Sequence, residues 1–224
     1  MTAAAEPEPL RTDLQIALAV PRTRGRLSAA PYVCVALHAA AGMAMLLVLR
    51  GGTEAEPDLA ARMAYVHAHT LAWRAGFAVW MMAGMSVLAF YAWWAPAVRS
   101  RRAARAALVV AAAGLACDLS GEMLYAGWLP LRDDPTRFEH LQRTGTVLTA
   151  VFANGFYTTA GIVLTLGTVG LPRPVRALAC VVWVAGGVLS VCGAVGWSTG
   201  LVAASGVLFP ALILLALLLP HALR

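Results

Sequence analysis

Lysine is absent: all seventeen basic side chains are arginine. Charge of either sign is scarce, at 12% of 224 residues, against 60% hydrophobic. A soluble domain carries about 25% charged residues. A chain this poor in charge cannot bury all its apolar side chains in its own core, so a bilayer must solvate the excess. Cysteine is sparse as well. Cys34, Cys117, Cys180 and Cys192 all fall within apolar segments, and no pair has C-x-x-C spacing. Buried cysteine behaves as a small hydrophobe, so neither a disulfide framework nor a zinc site is expected. The net charge of +6 lacks the single basic stripe that nucleic acid requires. The arginines flank apolar runs instead, which points to orientation in a membrane. No cleavable leader is expected, because mostly polar or mixed residues precede the first long apolar run.

What is present is a series of apolar stretches. Residues 1–9 are rich in Ala, Glu and Pro and are expected to be disordered. Residues 10–20 suit a short amphipathic helix on the membrane surface, too short to span. Six long stretches follow, at about 30–49, 70–94, 105–129, 145–169, 175–196 and 201–219. Each is near the ~20 residues that cross ~30 Å of hydrocarbon, and backbone in lipid must be helical. The expectation is an all-α integral membrane bundle of six transmembrane helices over 30–219. Residues 1–29 and 220–224 form its cytoplasmic tails, so both termini are inside. Arginine sets the orientation. Arg99, Arg101, Arg102 and Arg105 share one side with the tails, Arg173 and Arg176, whereas Arg50, Arg62, Arg132, Arg137 and Arg143 on the other are offset by acids. The first side is therefore read as cytoplasmic, and the location as the plasma (inner) membrane. Tyr91, Trp93 and Trp94 are expected at the inner interface, and Trp73, Trp128 and Trp197 at the outer one. The short 197–200 turn makes the last two segments antiparallel neighbours. Gly186, Gly187, Ser190 and Gly193 offer a small-residue packing face. Pro210 is expected to kink the last helix. No internal repeat is visible.

Polar residues inside the spans need a reason. A central Asp or Arg costs roughly 2.5–3.5 kcal/mol on the insertion scale, so such groups face a protein interior or a wet cavity. The residues are His38, Arg74, Asp118, Glu122 and Asn154. A rise of ~1.5 Å per residue puts them all at the centre or in the outer half. Asp118, Glu122 and Tyr125 follow i, i+4, i+7 spacing, which gives the third segment a face with two carboxyls and a phenol. Gly121 beside them lets a neighbour approach. Asn154, Thr158, Gly161 and Thr165 form a similar stripe on the fourth segment, with Tyr157 adjacent. The two stripes are expected to face each other, with Arg74 reaching Glu122 from the second segment. Each feature has a plainer reading. Arg74–Glu122 is equally an interhelical staple, Asn154 a cross-helix hydrogen bond, and His38 a packed core histidine. His67, His69 and His140 lie near the outer mouth, but an i, i+2 pair does not share a helix face. Haem needs more than His38. No metal or cofactor is expected.

The run from His69 through Trp73-Arg74 to Tyr91-Ala-Trp93-Trp94, with Cys117-Asp118-Leu-Ser-Gly-Glu122 and Ala153-Asn154-Gly-Phe-Tyr157, resembles small actinobacterial membrane proteins over helices two to four. That resemblance implies no function. In size and topology the chain is also similar to bacterial integral membrane terpene cyclases, in which embedded carboxyls protonate an isoprenoid.

Three functions stay open. In the first, the chain is a membrane-embedded enzyme acting on a lipid or isoprenoid-type substrate that enters from the bilayer. Asp118 and Glu122 supply acid–base chemistry, and Arg74, Asn154, Tyr125, Tyr157 and His38 line the substrate site. The second is a small proton-coupled transporter, against which the missing repeat counts. The third is a structural or regulatory partner in which the polar cluster is internal glue.

Overall fold

A computed structural model of the chain describes residues 29–223. The disordered tail and amphipathic stretch expected at 1–9 and 10–20 lie outside them. Seven helices are labelled here in chain order: α1 (Ala30–Gly52), the short α2 (Leu59–Ala68), α3 (Thr70–Ala97), α4 (Arg101–Leu131), α5 (Pro135–Gly167), α6 (Arg173–Val195) and α7 (Ser198–Ala222). All except α2 are long and apolar enough to cross a membrane. Local chemistry places several starts. The side chains of Asp58, Ser100 and Asp134 accept backbone N–H bonds at the starts of α2, α4 and α5. Pro135 follows at the first turn of α5, where its missing N–H is no loss. Gly196, with φ of +73°, turns α6 into α7. α7 continues through Pro210 and Pro220, three residues beyond the span expected from hydropathy.

The six long helices form a closed ring. Each packs on its neighbour in sequence, α1 closes against α7, and α6 and α7 are antiparallel partners as their turn required. α3 also reaches across: Tyr91 meets Trp183 of α6, and Trp80 meets Phe209 of α7. The face with Ala30 and Ala222 is called proximal; the face with Gly52 and α2 is called distal. Between 22% and 44% of each span's most apolar window is buried inside the protein, so most of that apolar surface looks outward. A multi-pass membrane protein is the arrangement that covers it.

Two expectations about packing are corrected. Tyr91, Trp94 and Trp73 are core residues at 0–1% exposure and form no interfacial belt; Trp128 and Trp197 do face outward. The reason is that the protein itself satisfies the polar ends. Trp94 Nε1 donates to Thr168 Oγ1 at 2.9 Å, Trp73 Nε1 to Tyr125 O at 2.8 Å, and Tyr91 O–H to Tyr157 O at 3.0 Å. The small-residue face of α6 is narrower than expected. Gly186 and Gly193 press on α5 and Ser190 bonds to it, whereas a Cβ at Gly187 would meet nothing.

Three helices carry π turns in their distal halves: Met45–Leu49 in α1, Leu124–Trp128 in α4 and Val147–Ala153 in α5. Such turns shift every following side chain around the helix. This decides which polar residues meet.

Candidate functional site

Asp118 and Glu122 lie one turn apart on α4, about 6 Å along the axis. Asp118 sits two residues past the middle residue of its span and rests against α3. A Cβ at Gly84 would fall 2.5 Å from Asp118 Oδ2, so the glycine is the space that the carboxyl occupies. From α5, Tyr157 O–H donates to the same oxygen at 3.2 Å. α4 and α5 come close enough for this because of two glycines. A Cβ at Gly114 would lie 3.1 Å from Ala153 O, and one at Gly121 2.6 Å from Thr149 Cγ2. Gly121 thus has the close-approach role expected of it. Glu122 is 2% exposed, and its Oε2 has no hydrogen-bond partner among the described residues.

The structure separates the remaining expected site residues. Arg74 is exposed, and its Nε donates to Ala126 O at 3.1 Å. The Arg74–Glu122 ion pair is not formed: the only ion pair among the described residues joins His67 and Asp133, 3.9 Å apart on the distal rim. Asn154 Nδ2 donates to Gly186 O (2.6 Å) and Ser190 Oγ (2.9 Å). Its whole stripe faces α6 rather than α4. Thr158 abuts Gly186, Gly161 accommodates the Trp183 ring, and Thr165 Oγ1 accepts from Trp183 Nε1 at 2.9 Å. Tyr157, three residues from Asn154, is what turns toward the carboxyls. His38 is buried in the first of the long helices. Its Nδ1 donates to Cys34 O at 2.9 Å and its ring lies 6.0 Å from Phe209. His67 and His69 bond separately, to Arg132 O and Tyr65 O. Tyr125 leaves the carboxyl face because the π turn starting at Leu124 breaks the i+7 register. Its ring stacks on Phe77, with centroids 4.8 Å apart.

The Tyr125 phenol belongs to a distal network that the sequence did not reveal. It bonds Thr146 Oγ1 at 2.7 Å and Gln142 O at 3.1 Å. Thr146 O–H meets the Glu54 carboxylate at 2.8 Å. Gln142 accepts from Arg62 at 2.6 Å and donates to Gly52 O at 2.9 Å. Burial pushes the Glu54 carboxyl above its ordinary value, while Thr146 O–H, Arg62 and Arg143 oppose the rise. Partners some ninety residues apart share no local pattern, so no sequence signal pointed to them. The connector acids read as loop charge. No family model, curated protein or solved structure matches the chain.

Proposed function

We propose that this protein is a membrane-embedded acid–base enzyme acting on a hydrophobic substrate of the lipid or isoprenoid class. The observation that carries the reading is the Asp118–Glu122 pair. Two carboxyls one turn apart sit within a span with no cation paired to either among the described residues, and structural pairs in membranes are usually compensated. Asp118 acts as the proton-transferring group. Tyr157 O–H orients it, and Glu122 is a second carboxyl one turn away. Gly84 keeps room beside the carboxyl. Arg74 and Asn154, spent on helix contacts, drop out of the substrate site. We further propose that the protein lies in the plasma membrane with the distal face outward, because among the described residues the proximal arginines have no acids beside them, whereas the distal ones are offset by Glu54, Glu56, Asp58, Asp133, Asp134 and Glu139.

The test is a comparison of lipid extracts by mass spectrometry, from cells carrying the wild-type chain, Asp118→Asn or neither. An amide keeps the shape but cannot give up a proton at useful pH. The wild-type extract should differ from the empty one, and the Asp118→Asn extract should match the empty one at equal folded yield. If Asp118→Asn gives the wild-type extract, the assignment falls. One observation favours a second reading, a proton relay. On another face of α4 from the carboxyl pair, the Tyr125 phenol continues through Thr146 to Glu54 at the distal face. Proton uptake by vesicles without added substrate, lost in Tyr125→Phe, would select that reading.

A further inference from the structure

A second polar feature lies apart from the carboxyl pair, where α1 meets α2. A groove of about 300 Å³ opens there, lined by Leu46, Leu47, Arg50, Gly51, Glu56 and Tyr65. That volume is at the lower end of the ~300–1,000 Å³ typical of small-ligand sites. Two local devices shape it. Within the π turn of α1, Val48 O accepts the Tyr65 O–H at 2.6 Å. At Gly51, a Cβ would lie 2.7 Å from the Tyr65 ring, so only glycine lets the ring lie flat as a wall. Below, Leu46 and Leu47, within the apolar span, are 65% and 71% exposed. Above, one turn on, stand Arg50, in the last turn of α1, and Glu56, in the connector. Glu56 Oε1 accepts the Asp58 N–H at 3.1 Å. Arg50 and Glu56 line one groove, yet neither forms an ion pair among the described residues.

A cation and an anion held apart above exposed leucines describe the complement of a zwitterionic amphiphile. Guanidinium favours phosphate, which it can bind through two N–H groups. A carboxylate favours a primary ammonium, which brings three N–H donors. A choline head has no N–H to donate, and a glycerol head has no cation to meet Glu56. We propose that this groove binds a phosphatidylethanolamine-type lipid. Its phosphate lies on Arg50, its ammonium on Glu56, and an acyl chain runs along Leu46 and Leu47. The site is independent of the acid–base reading and stands whether or not that reading does.

Native mass spectrometry of the full chain tests this. The purified protein is exposed to mixed micelles holding equal phosphatidylethanolamine, phosphatidylcholine and phosphatidylglycerol, and the retained lipid is weighed. The wild type should retain phosphatidylethanolamine several-fold over the other two. Arg50→Gln should lose most retained lipid of every class. Glu56→Gln should keep lipid but lose the headgroup preference. Arg132→Gln, an arginine outside the groove, should leave both unchanged. Equal retention of the three lipids by the wild type would overturn the proposal. So would a preference that survives Glu56→Gln, or one that Arg132→Gln abolishes as fully as Arg50→Gln.

Discussion

Gly84 sets where the Asp118 carboxyl can lie, and the two residues should be energetically coupled. Gly84→Ala places a methyl 2.5 Å from Oδ2. Overpacking of this kind typically costs about 1–3 kcal/mol. In an Asp118→Ala background the methyl has room, so the double variant should recover most of that loss. Thermal unfolding of the four proteins in detergent measures the coupling; purely additive effects would mean that the two residues do not touch. Arg74 gives the opposite forecast. It is exposed and bonds a carbonyl, so Arg74→Leu should cost no more than about 0.5–1.5 kcal/mol, the worth of one hydrogen bond. A loss near the ~3–5 kcal/mol of a broken buried pair would restore the Glu122 partnership, as would rescue by the charge swap Arg74→Glu with Glu122→Arg.

Among the elements, the connector between α1 and α2 is tied to α5 through Glu54 and Thr146, and that tie is pH-sensitive. The Glu54 carboxyl is raised by burial above its ordinary 4.5. A raised carboxyl holds its proton more tightly in the folded than in the unfolded chain. Its contribution therefore favours folding below pH 4.5 and is lost as pH climbs through the folded value. Glu54→Gln has no proton to lose. Melting curves taken from pH 4.5 to neutrality should show the wild type losing ground to the variant; a gap constant with pH would refute this. The α5–α6 contact makes a second prediction. Gly161 is the floor under the Trp183 ring, so Gly161→Val should destabilise the bundle by at least the ~1–3 kcal/mol of overpacking. Gly187→Val on α6, where a Cβ meets nothing, should be nearly neutral. Equal losses in the two would contradict the packing.

For the whole molecule, the ring of six spans puts both ends of the described chain on one face, and the proposal that this face is cytoplasmic is open to a direct test. Single cysteines at positions 55 and 135, in a cysteine-free background, should react with an impermeant maleimide in intact cells, and those at 100 and 173 should not. Labelling at position 100 would reverse the orientation and place the groove at Arg50 in the inner leaflet.

Hydropathy alone determined the six spans, because lipid must be met by long apolar helices and nothing else in this chain is long enough. The caps at Asp58, Ser100 and Asp134 were not read from it: α2 was not expected, and α4 and α5 begin at Arg101 and Pro135, ahead of the stretches at 105 and 145. The carboxyl pair was legible for the same reason as the spans: Asp118 and Glu122 stand out wherever the surroundings are apolar, and four-residue spacing keeps them on one face. Their neighbours were not. Tyr125 was placed on that face by ideal helical spacing, the Asn154 stripe opposite it and Arg74 within reach of Glu122, and the tertiary structure sent all three elsewhere. The π turn at Leu124 rotates Tyr125 away, the bulk of Trp183 against Gly161 turns the Asn154 stripe toward α6, and Arg74 points outward to a carbonyl. Gly84, the Tyr157 hydrogen bond and the Glu54–Thr146–Tyr125 network depend on which helices lie side by side and at what rotation. Side-chain volumes across the whole ring decide that, and no local window of sequence contains them.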